Sequence, residues 1–155
     1  MTARFFIVGD IHACPQELET LLTALSLQPE DYLVFLGDYV DRGPGAREVV
    51  DLLLGMRADV VCAMTFLKGN HEDMFLDFMG YAGNHGEAFL MNGGVKTLAS
   101  YGCTPFMEAA TIVARVPEAH RTFFRNLDLM APVGEVLCVH AGISARSQKI
   151  ENLKP

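Results

Sequence analysis

No run in this chain approaches the roughly 18–20 consecutive apolar residues that a bilayer-spanning helix needs, so no membrane partner is expected. Positive charge is also scarce. Twelve lysines and arginines stand against 19 aspartates and glutamates, a formal net charge of −7. That balance excludes a nucleic-acid backbone as the natural partner, because such a surface must be cationic. It suits a carboxylate-rich site that carries bound cations. Cysteine is sparse and never paired as CxxC: Cys14, Cys62, Cys103 and Cys138 stand apart. Cys62 and Cys138 lie inside apolar runs, where free cysteine packs as a small hydrophobe, and a reducing cytoplasm is the expected setting. The Phe5–Val8 run is too short for a signal peptide. Repeats and low-complexity tracts are lacking. With 155 residues, half of them apolar, the chain can bury one core, so residues 1–155 are read as a single domain.

What is present repeats one local theme: an apolar run, a Gly-Asp or Gly-Asn turn, then an amphipathic segment. Phe5–Val8 has no polar face and predicts a strand buried on both sides. Gly9-Asp10-Ile11-His12 ends it. Pro15 suits a first helical turn, and Leu18, Leu21, Leu22 and Leu25 recur at helical spacing. The second round is Tyr32–Leu36, the loop Gly37–Gly45, and a stripe of Ala46, Val49, Val50 and Leu53. The third is Val60–Leu67, then Gly69-Asn70-His71, then Met74, Phe75, Phe78 and Met79. This alternation predicts an α/β fold with parallel strands and the polar loops at their carboxyl ends, where open α/β sheets carry their sites. From Gly80 to Leu129 loops and helices follow, with Pro117 dividing two helical segments. Val136–Val139 is a further strand ending in His140-Ala141-Gly142, and residues 144–155 read as loop or tail.

Four strands thus end in Asp10 with His12, Asp38 with Asp41 and Arg42, Asn70 with His71, and His140. Each alone has an ordinary explanation as a turn former, helix cap, solvated charge or satisfied core histidine. Jointly they form a set of hard-to-borderline ligands suited to Mn²⁺, Fe or Zn²⁺. Gathering Asp10, Asp38 and Asp41 at one edge is electrostatically costly without a cation between them. His85 in a Gly-rich loop and His120 on a helix are read as surface residues.

The segments GDIHACPQEL, GDYVDRGPGAREVV, KGNHE and CVHAGI resemble, in order, the signatures GDxHG, GDxxDRG, GNHE and HAG/HGG. These belong to the PPP-type phosphoprotein phosphatases within the calcineurin-like metallophosphoesterases. The resemblance covers residues 5–143, and Asn92-Gly93-Gly94 is similar to bacterial and phage members of the group. Ala13 replaces the glycine usual after the first-motif histidine, a change expected to matter little. The resemblance implies a calcineurin-like α/β/β/α sandwich with mixed sheets and two divalent metal ions, Mn²⁺ foremost with Fe or Zn²⁺ as alternatives. It implies Asp10, His12 and Asp38 as ligands of the first metal, and Asp38, Asn70 and His140 of the second. Arg42 would hold a phosphate oxygen. His71 would act as the general acid, oriented by Asp41, with a metal-bridging hydroxide attacking in line.

The implied activity is hydrolysis of phosphomonoesters, phosphoserine and phosphothreonine in proteins first. A symmetrical dinucleoside tetraphosphate hydrolase is the alternative with the same motifs. The resemblance also implies a second phosphate-holding arginine, a Gly-His motif and further strands after His140. The chain is therefore expected to be C-terminally truncated, and Arg146 lies too near His140 to stand in for that arginine. Uncovered sheet surface would favour self-association, and an impaired metal- or phosphate-binding fragment is the rival reading.

Overall fold

The computed structural model describes residues 3–59 and 61–143; Val60, Arg146 and the 144–155 segment lie outside the described residues. Strands β1 (Phe5–Val8), β2 (Tyr32–Phe35) and β3 (Ala63–Phe66) form a parallel sheet in that order, with Val8 beside Phe35 and Phe35 beside Phe66. The connections are α1 (Pro15–Leu25) and α2 (Ala46–Asp59), and α3 (Asn70–Phe78) follows β3. This is the alternation that the three apolar-run-and-turn segments predict.

Beyond α3 the chain makes a 3₁₀ turn (Gly86–Ala88) and a π turn (Leu90–Gly94), then α4 (Val95–Ser100), α5 (Ala109–Arg115) and α6 (Glu118–Arg125). It ends in an antiparallel hairpin, β4 (Met130–Val133) and β5 (Val136–Val139), with Val133 opposite Val136. Gly134, at φ 58°, begins the tight turn. The sequence pattern reveals β5 but not β4, whose Pro132 weakens its strand character.

Alternation along β2 builds two cores. Leu33 and Phe35 are fully buried among the helices with Val49, Val50, Leu53, Phe75 and Phe124. Val34 points the other way, onto Ala131, Val133 and Cys138 of the hairpin. The parallel sheet is therefore sandwiched between helices and a second sheet, a mixed α/β architecture. Aromatic stacking supports the helical side: the Phe35 and Phe66 rings lie 5.1 Å apart and nearly parallel, and Phe75 and Phe89 lie 5.0 Å apart.

Two expectations need correction. β1 is not buried on both sides: Phe5 and Ile7 are 57% and 51% exposed. Among the described residues the hairpin covers the face of β2 and leaves that of the edge strand β1 open. In α1 only Leu18 of the leucine stripe is buried, while Leu21 is exposed. The α2 stripe behaves as expected, with Ala46, Val49, Val50 and Leu53 all fully enclosed.

Candidate active site

The loops after β1 and β2 are stitched together by backbone hydrogen bonds. Ile11 and His12 both donate to the Asp38 carbonyl, at 3.0 and 2.9 Å, and Ala13 donates to that of Tyr39 at 2.8 Å. Gly43 and Gly45 return to the carbonyls of His12 and Ala13. The approach of the β2 and β3 loops is closer still. Gly37 has φ 111°, and a Cβ there would lie 2.4 Å from the Gly69 nitrogen.

Left-handed backbone concentrates here in residues that are not glycine: His12, Ala13, Asp38, Asp41 and Arg42 have φ between 44° and 68°. Such conformations cost about 1–3 kcal/mol each and persist only where the surroundings enforce them. Ala13 keeps the turn at this cost, with its methyl group fully buried.

Glu72 supplies much of the enforcement. It stands in the first turn of α3, fully buried, and its carboxylate accepts four backbone N–H groups. Asp38 and Gly69 donate to one oxygen at 2.8 and 3.0 Å, and Tyr39 and Val40 to the other at 2.8 and 3.3 Å. Burial pushes its pKa up to about 7, opposed by these donors. Glu72 belongs to the KGNHE segment, whose resemblance implies a role for its neighbours Asn70 and His71 only. Its position three residues after Gly69, the third residue of α3, is the signal of half a capping box, the glycine having no side chain to complete it.

Asp10, His12, Asp38, Asn70 and His140 converge on one point. The Nδ1 of His12 lies 3.0 Å from the Val40 carbonyl, which fixes the proton there. Its Nε2 is left buried without a hydrogen-bond partner, 3.6 Å from Asp10 and 3.7 Å from Asp38. His140 repeats the device: Nδ1 lies 3.0 Å from the Leu36 carbonyl, and Nε2 faces Asn70 Oδ1 at 3.0 Å and Asp38 at 3.4 Å. Imidazole lone pairs directed at carboxylate and amide oxygens need something positive between them. The donor set therefore fits divalent cations. Asp38 is common to both groups of ligand atoms that come within 4.8 Å of one another, one with His12 and His71, the other with Asp10 and His140. An open cavity of about 540 Å³ adjoins Asn70 and His140, with Lys68 and Asp73 on its wall.

Beside the cluster, His71 is almost completely enclosed. Its Nδ1 lies 2.7 Å from Asp41 Oδ2, and its Nε2 lies 3.2 Å from Arg42 Nη2. A guanidinium only donates, so Nε2 accepts and the ring proton sits on Nδ1, toward Asp41. The Asp41 hydrogen bond raises the His71 pKa above its ordinary value, against the opposing effect of burial. Asp41 is itself fully buried and bonded to Thr97 of α4. The π turn before α4 packs on the adjacent loop: at Gly93, φ 106°, a Cβ would lie 2.7 Å from the Arg42 nitrogen.

Among the other histidines, His85 is exposed as expected, but His120 is not. It is buried, with Nδ1 2.9 Å from the Tyr101 hydroxyl and Nε2 2.9 Å from Asp51. Residues 19 and 69 positions away satisfy both ring nitrogens, which makes a polar position compatible with the core.

Comparison with known proteins points to one family. A family model described as calcineurin-like phosphoesterase matches residues 3–155. The chain is 30% identical over 148 residues to the serine/threonine-protein phosphatase 6 catalytic subunit of Drosophila melanogaster, covering 96% of this chain and 42% of that protein. It is 28% identical over 150 residues to serine/threonine-protein phosphatase PP1-1 of Saccharomyces cerevisiae, with 96% and 42% covered. A solved protein serine/threonine phosphatase from Saccharomyces cerevisiae superposes with a TM-score of 0.63 at 18% identity, over 99% of this chain and 46% of that one. The chain spans less than half the length of each of these relatives.

Proposed function

The chain belongs to the calcineurin-like phosphoesterases, and from that premise we propose that it hydrolyses phosphomonoesters, with phosphoserine and phosphothreonine in proteins as substrates. The observation that carries this reading is the Asp41–His71 pair at 2.7 Å, set beside the Asp38-centred ligand cluster and next to Arg42.

In this reading Asp10, His12 and Asp38 hold one divalent cation, and Asp38, Asn70 and His140 a second, with Mn²⁺ the ion of choice. Bound cations supply Lewis-acid polarisation of the phosphoryl group and make water more acidic. Arg42 turns its planar fork to a phosphoryl oxygen, giving up its contact with His71 Nε2. That nitrogen, 3.9 Å from Asp38, then takes up a proton from solvent, and the resulting imidazolium delivers it to the leaving alkoxide. Asp41 keeps the other ring nitrogen protonated throughout, so the imidazole gives its proton from Nε2 alone and returns to its starting tautomer. A cytoplasmic setting fits the unpaired cysteines.

The test is phosphate release by the purified chain with Mn²⁺, from a phosphopeptide panel and from diadenosine tetraphosphate. Release from phosphoserine and phosphothreonine peptides is expected. Preference for the dinucleotide would replace the substrate reading, and no release from either would overturn the activity.

A further inference from the structure

We infer that Thr97 is a positioning residue of this site: its hydroxyl locks the Asp41 carboxylate so that His71 is held in one tautomer and one ring orientation. This rests on the reading of His71 as the proton donor given above. Thr97 Oγ1 donates to Asp41 Oδ1 at 2.6 Å and accepts the Asp41 backbone N–H at 2.9 Å. One hydroxyl thus closes a ring on a single residue, bonding both the side chain and the main chain of Asp41.

The need for such a lock follows from the surroundings. Asp41 sits at φ 68°, in the left-handed region most at home to glycine, and neither it nor Thr97 has any exposed surface. Among the described residues, its carboxylate has two side-chain partners, His71 on Oδ2 and Thr97 on Oδ1. Without Thr97, rotation about χ2 would be restrained by the imidazole alone, the group the carboxylate is meant to orient. A neutral donor serves better here than a lysine or arginine. It fixes the carboxylate geometrically but leaves its negative charge available to the imidazole.

The support behind Thr97 is also built in. Its carbonyl accepts from Ser100 Oγ at 2.7 Å, and Ser100 Oγ accepts from the Arg47 backbone N–H at 3.2 Å, tying α4 to the start of α2. The turn leading into α4 abuts Arg42 through Gly93. One short helix and its approach therefore brace both members of the Asp41-Arg42 pair.

The experiment compares wild type with Thr97→Val, which is nearly isosteric but has no hydroxyl, and with Thr97→Ser, which restores it. Histidine ¹⁵N spectra of the full chain with Zn²⁺ present report the His71 tautomer without depending on turnover. Wild type and Thr97→Ser should show one Nδ1–H tautomer with a protected, hydrogen-bonded proton. Thr97→Val should lose that protection while its amide spectrum stays dispersed. On phosphate release, Thr97→Val should lose about tenfold or more on an alkyl phosphomonoester, less on an aryl one, with Thr97→Ser near wild type. A wild-type imidazole signature together with an unchanged alkyl-to-aryl ratio in Thr97→Val would overturn the inference. If Thr97→Val does not fold, Thr97→Ala is read in the same way. A wild-type chain that hydrolyses neither ester sinks the proposed activity, and the spectra then decide the role of Thr97 on their own.

Discussion

The Glu72 carboxylate accepts the backbone N–H of Asp38 at 2.8 Å, so the first turn of α3 holds in place the backbone of the most central candidate ligand. All the donors around that carboxylate are N–H groups, two to each oxygen. Glu72→Gln should therefore be far from conservative. Its amide nitrogen must face two N–H donors, and each buried polar group left unsatisfied costs about 1–3 kcal/mol. Urea unfolding should show a loss of at least about 2 kcal/mol. A variant as stable as wild type would mean that these contacts do not brace the loop.

Leaving-group chemistry separates a general acid from a merely structural histidine. His71→Asn should depress hydrolysis of alkyl phosphates by about 10²–10⁴-fold, the usual worth of general acid catalysis, and of nitrophenyl phosphate much less. The reason is that a phenolate departs without a proton, whereas a serine alkoxide does not. Steady-state rates on the two ester types check this. Equal losses on both would assign His71 a different role.

Asp38 is shared by both ligand-atom groups, which makes it the least replaceable residue of the cluster. Asp38→Asn should lower divalent-metal content at both positions and abolish phosphate release, while the far-ultraviolet spectrum stays unchanged. Metal analysis after dialysis is the measurement. Two ions retained per chain would contradict a bridging position.

His120 makes a prediction about pH. Burial pushes its imidazole below the ordinary 6.5, only partly offset by the hydrogen bond to Asp51. The folded chain keeps it neutral, whereas the unfolded chain takes up a proton as pH falls through that value. The contribution of His120 to stability is thus expected to fall below pH 6.5 and to level off once its folded-state pKa is passed. His120→Leu should remove this contribution. The wild-type advantage in urea midpoint, measured across that range, should shrink as the solution is acidified. A difference independent of pH would count against a buried neutral imidazole.

Local order in the sequence determined the three parallel strands, the α2 stripe and the loops that carry Asp10, Asp38, Asn70 and His140. Strand-helix alternation is encoded within a few residues, and the polar turns must follow the strands they terminate. The left-handed turns at Asp38 and Asp41, by contrast, depend on partners from other segments. Thr97 lies 56 residues from Asp41, and nothing around it in sequence distinguishes it from any other helical threonine. His120 reads as a surface residue from sequence because the groups that satisfy it come from α2 and from the end of α4. The exposure of Phe5 and Ile7 was equally invisible, since an apolar run does not say which of its faces another layer will cover. Periodicity reports what a segment can bury, whereas only the packing of distant segments decides what is buried and which polar groups find partners.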